Sequence, residues 1–259
     1  MMRAGHTQTH TWANWLLDIL LPAHCVLCGL AGESTGLCQP CQADLPALRY
    51  GCRQCALPGV TAAPWLCGRC LCRAPRWDLA VAALTYEYPV DHLVRKFKFQ
   101  RRRDCGHVLA EQLARAVLAS ANPMPDLLIP VPLHYRRLFR RGFNQAEFIA
   151  THVGRQLGCP VHPGLLQRIR PTAAQSGLVG RQRRSNVRGA FRCKPLGGLH
   201  VALVDDVLTT GTTAGECAAT IKAAGAAMVS VWVTARVPAP AGSHRATPWS
   251  DSVPASPKE

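Results

Sequence analysis

No stretch of these 259 residues approaches the roughly 18 consecutive apolar residues of a membrane span. The opening "WANWLLDILLPAHC" holds a short apolar run broken by Asp18. It lacks the basic start, long apolar centre and small-residue cleavage site of a secretory signal. A reducing, cytoplasmic location is therefore expected. Two phosphate-binding signatures are also missing: there is no G-x-x-x-x-G-K-[ST], and no G-x-G-x-x-G between a strand and a helix. That excludes the P-loop and the dinucleotide fingerprint. Acidic residues are scarce, 15 against 30 Lys and Arg, for a formal charge of +15. Such a surplus favours polyanionic partners, nucleic acid or phosphorylated small molecules. A general preference for arginine, with just five lysines in the chain, gives the same composition.

Cysteine is abundant but unevenly placed. Nine of the 13 lie between Cys25 and Cys72. An odd count without an export signal argues for metal rather than disulfides. Cys25, Cys28, Cys38 and Cys41 read C-x2-C, nine residues, C-x2-C; Cys52, Cys55, Cys67 and Cys70 repeat this with eleven between. Two thiolates in one tight turn grip a metal, and two such turns complete the tetrahedral S4 shell of a structural zinc site. A region this short and poor in large apolar groups needs such staples to fold. Iron–sulfur ligation is the weaker alternative. Sequential pairing into two zinc sites is favoured over interleaving, and Cys72 is a spare thiol that competes as a ligand.

Further along, residues 12–21 suit a short amphipathic helix with Trp12, Trp15, Leu16 and Ile19 on one side. "LAVAALTYEY", "DLLIPVPL", "HVALVDDVL" and "MVSVWVTARV" read as apolar strands. "VLAEQLARAVLAS", "FNQAEFIATHVGRQLG" and "TAGECAATIKAAG" read as helices, the second stopped by Gly158. The stretch from Arg168 to Arg192 reads as irregular and basic. Strands that are apolar throughout and alternate with helices indicate an α/β domain with a parallel sheet covered on both faces. The tail from Pro238 is rich in Pro, Ala and Ser and is expected to be disordered.

"HVALVDDVLTTGTTAG" carries the chemistry. Ligands of open parallel sheets bind beyond the carboxyl ends of strands, and Asp205 and Asp206 fall there, after "HVALV". Thr209, Thr210, Gly211, Thr212 and Thr213 then lead into a helix whose first N–H groups favour an anion. Carboxylates for two vicinal hydroxyls beside a loop for a phosphate describe a ribose 5-phosphate site. A strand, a Thr-capped turn and a helix would be the ordinary structural alternative, but it leaves two adjacent carboxylates unexplained.

These residues resemble the phosphoribosyl-diphosphate (PRPP) motif of type I phosphoribosyltransferases. More closely, residues from about 20 to 237 resemble the ComF family of competence proteins, through "YEYPVDHLVRKFKF", "PVPLHYRRLFRRGFNQA" and "QSGLVGRQRRSNVRGAF" as well. The resemblance implies a double zinc ribbon over 20–75, after an N-terminal segment 1–19, and a phosphoribosyltransferase-like domain over 76–237 before the tail 238–259. It places ribose on Asp205 and Asp206 and the 5-phosphate on Thr209 to Thr213. Arg136, Arg137, Arg140 and Arg141 would serve a pyrophosphate loop, with Mg²⁺ bridging pyrophosphate and ribose. Gln175, Arg183 and Asn186 would belong to a flexible loop, where Gly180 and Gln182 depart from the family's usual Arg and Glu. The implied chemistry is displacement of pyrophosphate from C1 of ribose by a nitrogen nucleophile; no residue is an evident base, and the acceptor is open.

"RKFKFQRRR" mixes bases with aromatics. Arg95, Lys96, Lys98, Arg101, Arg102 and Arg103 could follow phosphates while Phe97 and Phe99 stack on bases, as in single-strand binders; alternatively both phenylalanines are core. ComF resemblance implies handling of single-stranded DNA in natural transformation, with competence-machinery proteins as partners. Two classes thus stand: a PRPP-dependent transferase, and a DNA-handling protein that uses the same pocket as a sensor or inherited scaffold.

Overall fold

The apolar runs of the second half become the strands of one parallel sheet. The computed structural model describes residues 24–33, 35–59, 65–133, 138–139, 142–170 and 188–239. The helix expected over 12–21 and the tail from 240 onward lie outside them. Described strands are β1 (Leu79–Thr85), β2 (Leu127–Pro130), β3 (Leu166–Arg168), β4 (Phe191–Cys193), β5 (His200–Leu208) and β6 (Met228–Arg236). Described helices are α1 (Gln39–Ala43), α2 (Gly68–Cys72), α3 (Val90–Phe99), α4 (Arg103–Ala119), α5 (Gln145–Leu157) and α6 (Thr212–Ala223). The main sheet runs β1-β6-β5-β2, with every pairing parallel.

Beyond Met228 every residue of β6 is buried, as expected of a central strand covered on both faces. β2 ends the row. Its last residue, Pro130, sits opposite Val204, where a missing N–H costs least. Helix α4 packs on β1 and β6, α5 on β2 and β5, and α6 on β5 and β6. Gly158 ends α5 in the left-handed region (φ 66°), as its position in the sequence predicts.

Several elements escape the sequence patterns, α3 and the β3–β4 pair among them. α3 is hidden by its alternating basic and aromatic residues, yet Val90, Leu93, Val94 and Phe97 recur at helical spacing and are all buried. β3 and β4 form a separate antiparallel pair, Leu166 opposite Cys193 and Arg168 opposite Phe191. They frame the stretch whose composition reads as irregular.

The chain divides into two compact units, 1–45 and 46–259. The division falls between the two cysteine quartets, so the second quartet shares a unit with the sheet. Three successive carbonyls of its first turn hold it there. Arg53 O accepts from Ala80 N (2.9 Å), Gln54 O from Trp77 Nε1 (2.5 Å), and Cys55 O from Arg236 Nε (2.9 Å). Trp77 is buried as part of the core cluster that also holds Ile129, Leu203 and Val231. Trp77→Ala should cost about 3–5 kcal/mol, read from urea unfolding, because it opens a cavity and orphans the Gln54 carbonyl. Among the described residues no helix is long and apolar enough to cross a membrane.

Candidate functional site

Each cysteine quartet gathers in space. Cys25, Cys28, Cys38 and Cys41 form one group and Cys52, Cys55, Cys67 and Cys70 another, with sulfurs within 4.8 Å of one another. Pairing is therefore sequential. Cys28 Sγ lies 3.6 Å from Cys38 Sγ, and Cys55 Sγ 3.5 Å from Cys67 Sγ. A disulfide needs about 2.05 Å, whereas thiolates about 2.3 Å from a tetrahedral zinc sit near 3.8 Å from each other. Both quartets fit structural zinc. Burial opposes ionisation of Cys25, yet backbone donors at Cys28, Cys38 and Leu27 bring its thiol down to about 6. Hydrogen bonds from the Cys55 and Cys70 thiols hold Cys52 far below the usual thiol range. Each quartet thus already favours one thiolate, the form that binds metal. Cys72 is exposed and belongs to neither group.

At the carboxyl end of β5 lies a cavity of about 280 Å³. Asp205, Asp206, Thr209, Thr210, Gly211, Thr212 and Thr213 all line it. The acidic pair sits inside the strand rather than beyond it, because Val207 and Leu208 continue the ladder against Ala235 and Arg236. Asp205 Oδ1 accepts from Asp206 N (2.9 Å), and Asp206 Oδ1 from Val207 N (2.6 Å). Thr234 Oγ1 donates to Asp206 O (2.7 Å) from the next strand. Gly211 caps α6 with φ 77°, a conformation that disfavours any side chain, and no side chain caps the helix. The ordinary Thr-capped turn is thus not what forms here. Thr210 and Thr212 hydroxyls meet at 2.9 Å.

Lys98 corrects the sequence reading. Instead of joining an exposed basic track, its Nζ reaches into the cavity and pairs with Asp206 Oδ2 at 2.8 Å. Phe97 is corrected too. It is 0% exposed, with its ring centroid 5.3 Å from those of Phe143 and Phe148, so it cannot stack on a base. A Cβ at Gly106 would come within 2.5 Å of the Phe97 ring, which is why glycine stands there. Phe99, by contrast, is 67% exposed. Arg101, Arg102 and Arg103 are exposed beside it. Arg95 pairs with Asp91 (2.6 Å), Arg102 with Asp104 (2.5 Å), and Arg103 lies over the Phe143 ring. Lys96 is half-buried on α3.

The cavity also takes residues that sequence reasoning did not assign to it, among them Tyr86, Asn144, Gln145 and Arg168. Asn144 accepts from Ala146 N (3.1 Å), capping α5, and donates to Val131 O (3.2 Å). The "GFNQ" stretch was the available signal, since Asn before a helical pattern is an N-cap. Arg168 carries its guanidinium 5.4 Å from the Phe191 centroid. Arg136, Arg137, Arg140 and Arg141 lie outside the described residues, as do Gln175, Arg183 and Asn186.

Comparison with known proteins agrees with the cysteine geometry. Residues 16–71 match the double zinc ribbon domain family. The DNA utilization protein YhgH of Salmonella typhi is 38% identical over 84% of this chain and 99% of its own length. Its counterpart in Escherichia coli strain K12 is 36% identical over 84% and 99%. Competence protein F of Haemophilus influenzae is 34% identical over 82% and 96%. Among solved structures, glutamine PRPP amidotransferase from B. subtilis, complexed with ADP and GMP, aligns with 55% of this chain and 30% of its own at 21% identity and TM-score 0.37. Adenine phosphoribosyltransferase from Leishmania tarentolae aligns with 61% and 76% at 16% identity and TM-score 0.34. With 34 to 38% identity across almost the full length of these relatives, the chain belongs to the ComF family, that of competence protein F and the DNA utilization proteins.

Proposed function

We propose that this chain binds PRPP with Mg²⁺ in the cavity at the end of β5 and acts, in the cytoplasm, in uptake or processing of single-stranded DNA during natural transformation. One observation carries the first half: two carboxylates and an uncapped helix start line the same cavity. Asp205 and Asp206 would accept from the vicinal ribose hydroxyls. The first amides of α6 and the hydroxyls of Thr209 to Thr213 would take the 5-phosphate. Lys98 and Arg168 add positive charge on the cavity wall. Mg²⁺, when bound, would screen the pyrophosphate and retain much of its water. Titration calorimetry with PRPP and Mg²⁺ tests this reading: one molecule per chain is expected, and absence of heat overturns it. The same pocket would serve a phosphoribosyltransferase, and pyrophosphate release in the presence of nucleobases or nucleic acid separates turnover from binding.

The DNA half rests on the names of the relatives and on one exposed patch. Phe99 stands exposed among Arg95, Arg101, Arg102 and Arg103, an arrangement suited to a single strand. Fluorescence anisotropy with labelled single-stranded DNA should show log affinity falling linearly with log salt. Replacing Arg101 and Arg103 by alanine should reduce that slope by about 0.7 for each phosphate that is no longer neutralised. Phe99→Ala should weaken binding by about 1–3 kcal/mol. Binding indifferent to salt would count against this surface.

A further inference from the structure

Arg236 closes β6 and is 2% exposed. Its Nε donates to the Cys55 carbonyl (2.9 Å). Its Nη1 donates to the carbonyls of Leu208 (2.9 Å), Thr209 (2.8 Å) and Val237 (2.6 Å). A guanidinium is a rigid planar fork of donors, so it fixes the segments it bonds relative to one another. One side of this fork holds the Cys52–Cys55 turn of the second quartet. The other holds the two residues that lead into Thr210 and Gly211, the turn that lines the cavity.

A buried cation is costly unless charge of the opposite sign lies near it. Among the described residues Arg236 bonds backbone carbonyls and no carboxylate. Four thiolates around one Zn²⁺ leave a net negative complex. The zinc-loaded second quartet, through its thiolates, therefore places negative charge beside Arg236, while the metal fixes the turn that Arg236 grips.

We propose that Arg236 is a positioning residue that couples the second zinc site to the ribose-phosphate cavity, so that zinc in one and PRPP in the other favour each other. This rests on the PRPP reading of the cavity. Zinc fixes the Cys55 carbonyl, Arg236 transmits that position to Leu208 and Thr209, and the turn before α6 is held in the shape that receives a phosphate. Coupling of this kind is reciprocal: each ligand changes the other's affinity by the same factor.

Equilibrium competition for zinc by a chromophoric chelator, on the full chain with and without saturating PRPP and Mg²⁺, tests the proposal. PRPP should raise the affinity of one of the two zinc equivalents by about five-fold or more and leave the other unchanged. Asp206→Asn, weakened in PRPP binding, serves as the control for chelation of zinc by PRPP itself. In Arg236→Met both ligands should still bind, but zinc affinity should no longer respond to PRPP; Arg236→Lys, which keeps the charge without the fork, should retain only part of the response. A residue that merely stabilises the fold would lower the unfolding midpoint and leave the response intact. If wild type binds PRPP by calorimetry and the two zinc curves superimpose, the coupling is refuted while the cavity reading stands. An unchanged response in Arg236→Met refutes the role of Arg236. No PRPP heat in wild type removes the cavity reading first, and the coupling with it.

Discussion

The double substitution Cys52→Ser/Cys70→Ser should lower the zinc content from about two ions per chain to about one, and move the urea midpoint of the sheet unit down by about 2 M. Structural zinc releases about 10–16 kcal/mol in small isolated fingers, but most of that orders the finger itself. What the sheet loses is narrower. The carbonyls of Arg53, Gln54 and Cys55 receive donors from Ala80, Trp77 and Arg236. Two neutral hydrogen bonds at about 1 kcal/mol each and one from a charged group at about 1.5–3 give roughly 4 kcal/mol. Division by an m-value of about 2 kcal/mol/M yields the shift. Acid should act in the same direction. Protons compete with zinc for thiolates, so stability that depends on the metal is present at neutral pH and lost as pH falls. Loss of one zinc with an unmoved midpoint would mean that the second quartet contributes nothing to the sheet unit.

Much of this architecture was legible in the sequence because its signals are local. The quartets announce themselves by spacing alone, since two residues between cysteines is the reach of one metal-binding turn. β5 and β6 read as continuous apolar runs because burial on both faces removes alternation. Gly158 and the pattern before it gave α5 both its face and its end. The failures share a different cause. In α3 the basic side chains that decorate the solvent side obscured a helical repeat of Val90, Leu93, Val94 and Phe97. Period, rather than composition, would have found it. Lys98 was misplaced for the same reason: once the segment is a helix, residues 97 and 98 no longer share a fate, and one enters the core while its neighbour enters the cavity. Arg236 offered no local signal at all. Its partners, Cys55 and Leu208, lie 181 and 28 residues away in sequence; the register of β6 beside β5 sets Leu208 opposite it, and the turn held by Ala80 and Trp77 brings Cys55.

Asp206→Asn should weaken PRPP binding in the presence of Mg²⁺ by about 10- to 150-fold, the range expected when one hydrogen bond to a charged group is lost. The Asp206 side chain is 12% exposed, and its Oδ2 is already engaged by Lys98 at 2.8 Å. On the proposed reading, ribose hydroxyls would share or replace that contact. Lys98→Met isolates the lysine's part. It leaves a nearly buried carboxylate without its cation, so stability should fall, and further than in Asp206→Asn. The double variant discriminates two roles for Lys98. If the lysine only balances Asp206, removing both groups should restore stability relative to the sum of the single losses, and the affinity loss should equal that of Asp206→Asn alone. If the lysine also meets the ligand's phosphates, the two losses in affinity should add. Additivity in calorimetry together with non-additivity in unfolding would place Lys98 on both partners: it holds Asp206 in the empty cavity and serves the anion once ribose has taken its place. Equal heats from wild type and Asp206→Asn would mean that this carboxylate plays no part in holding the sugar.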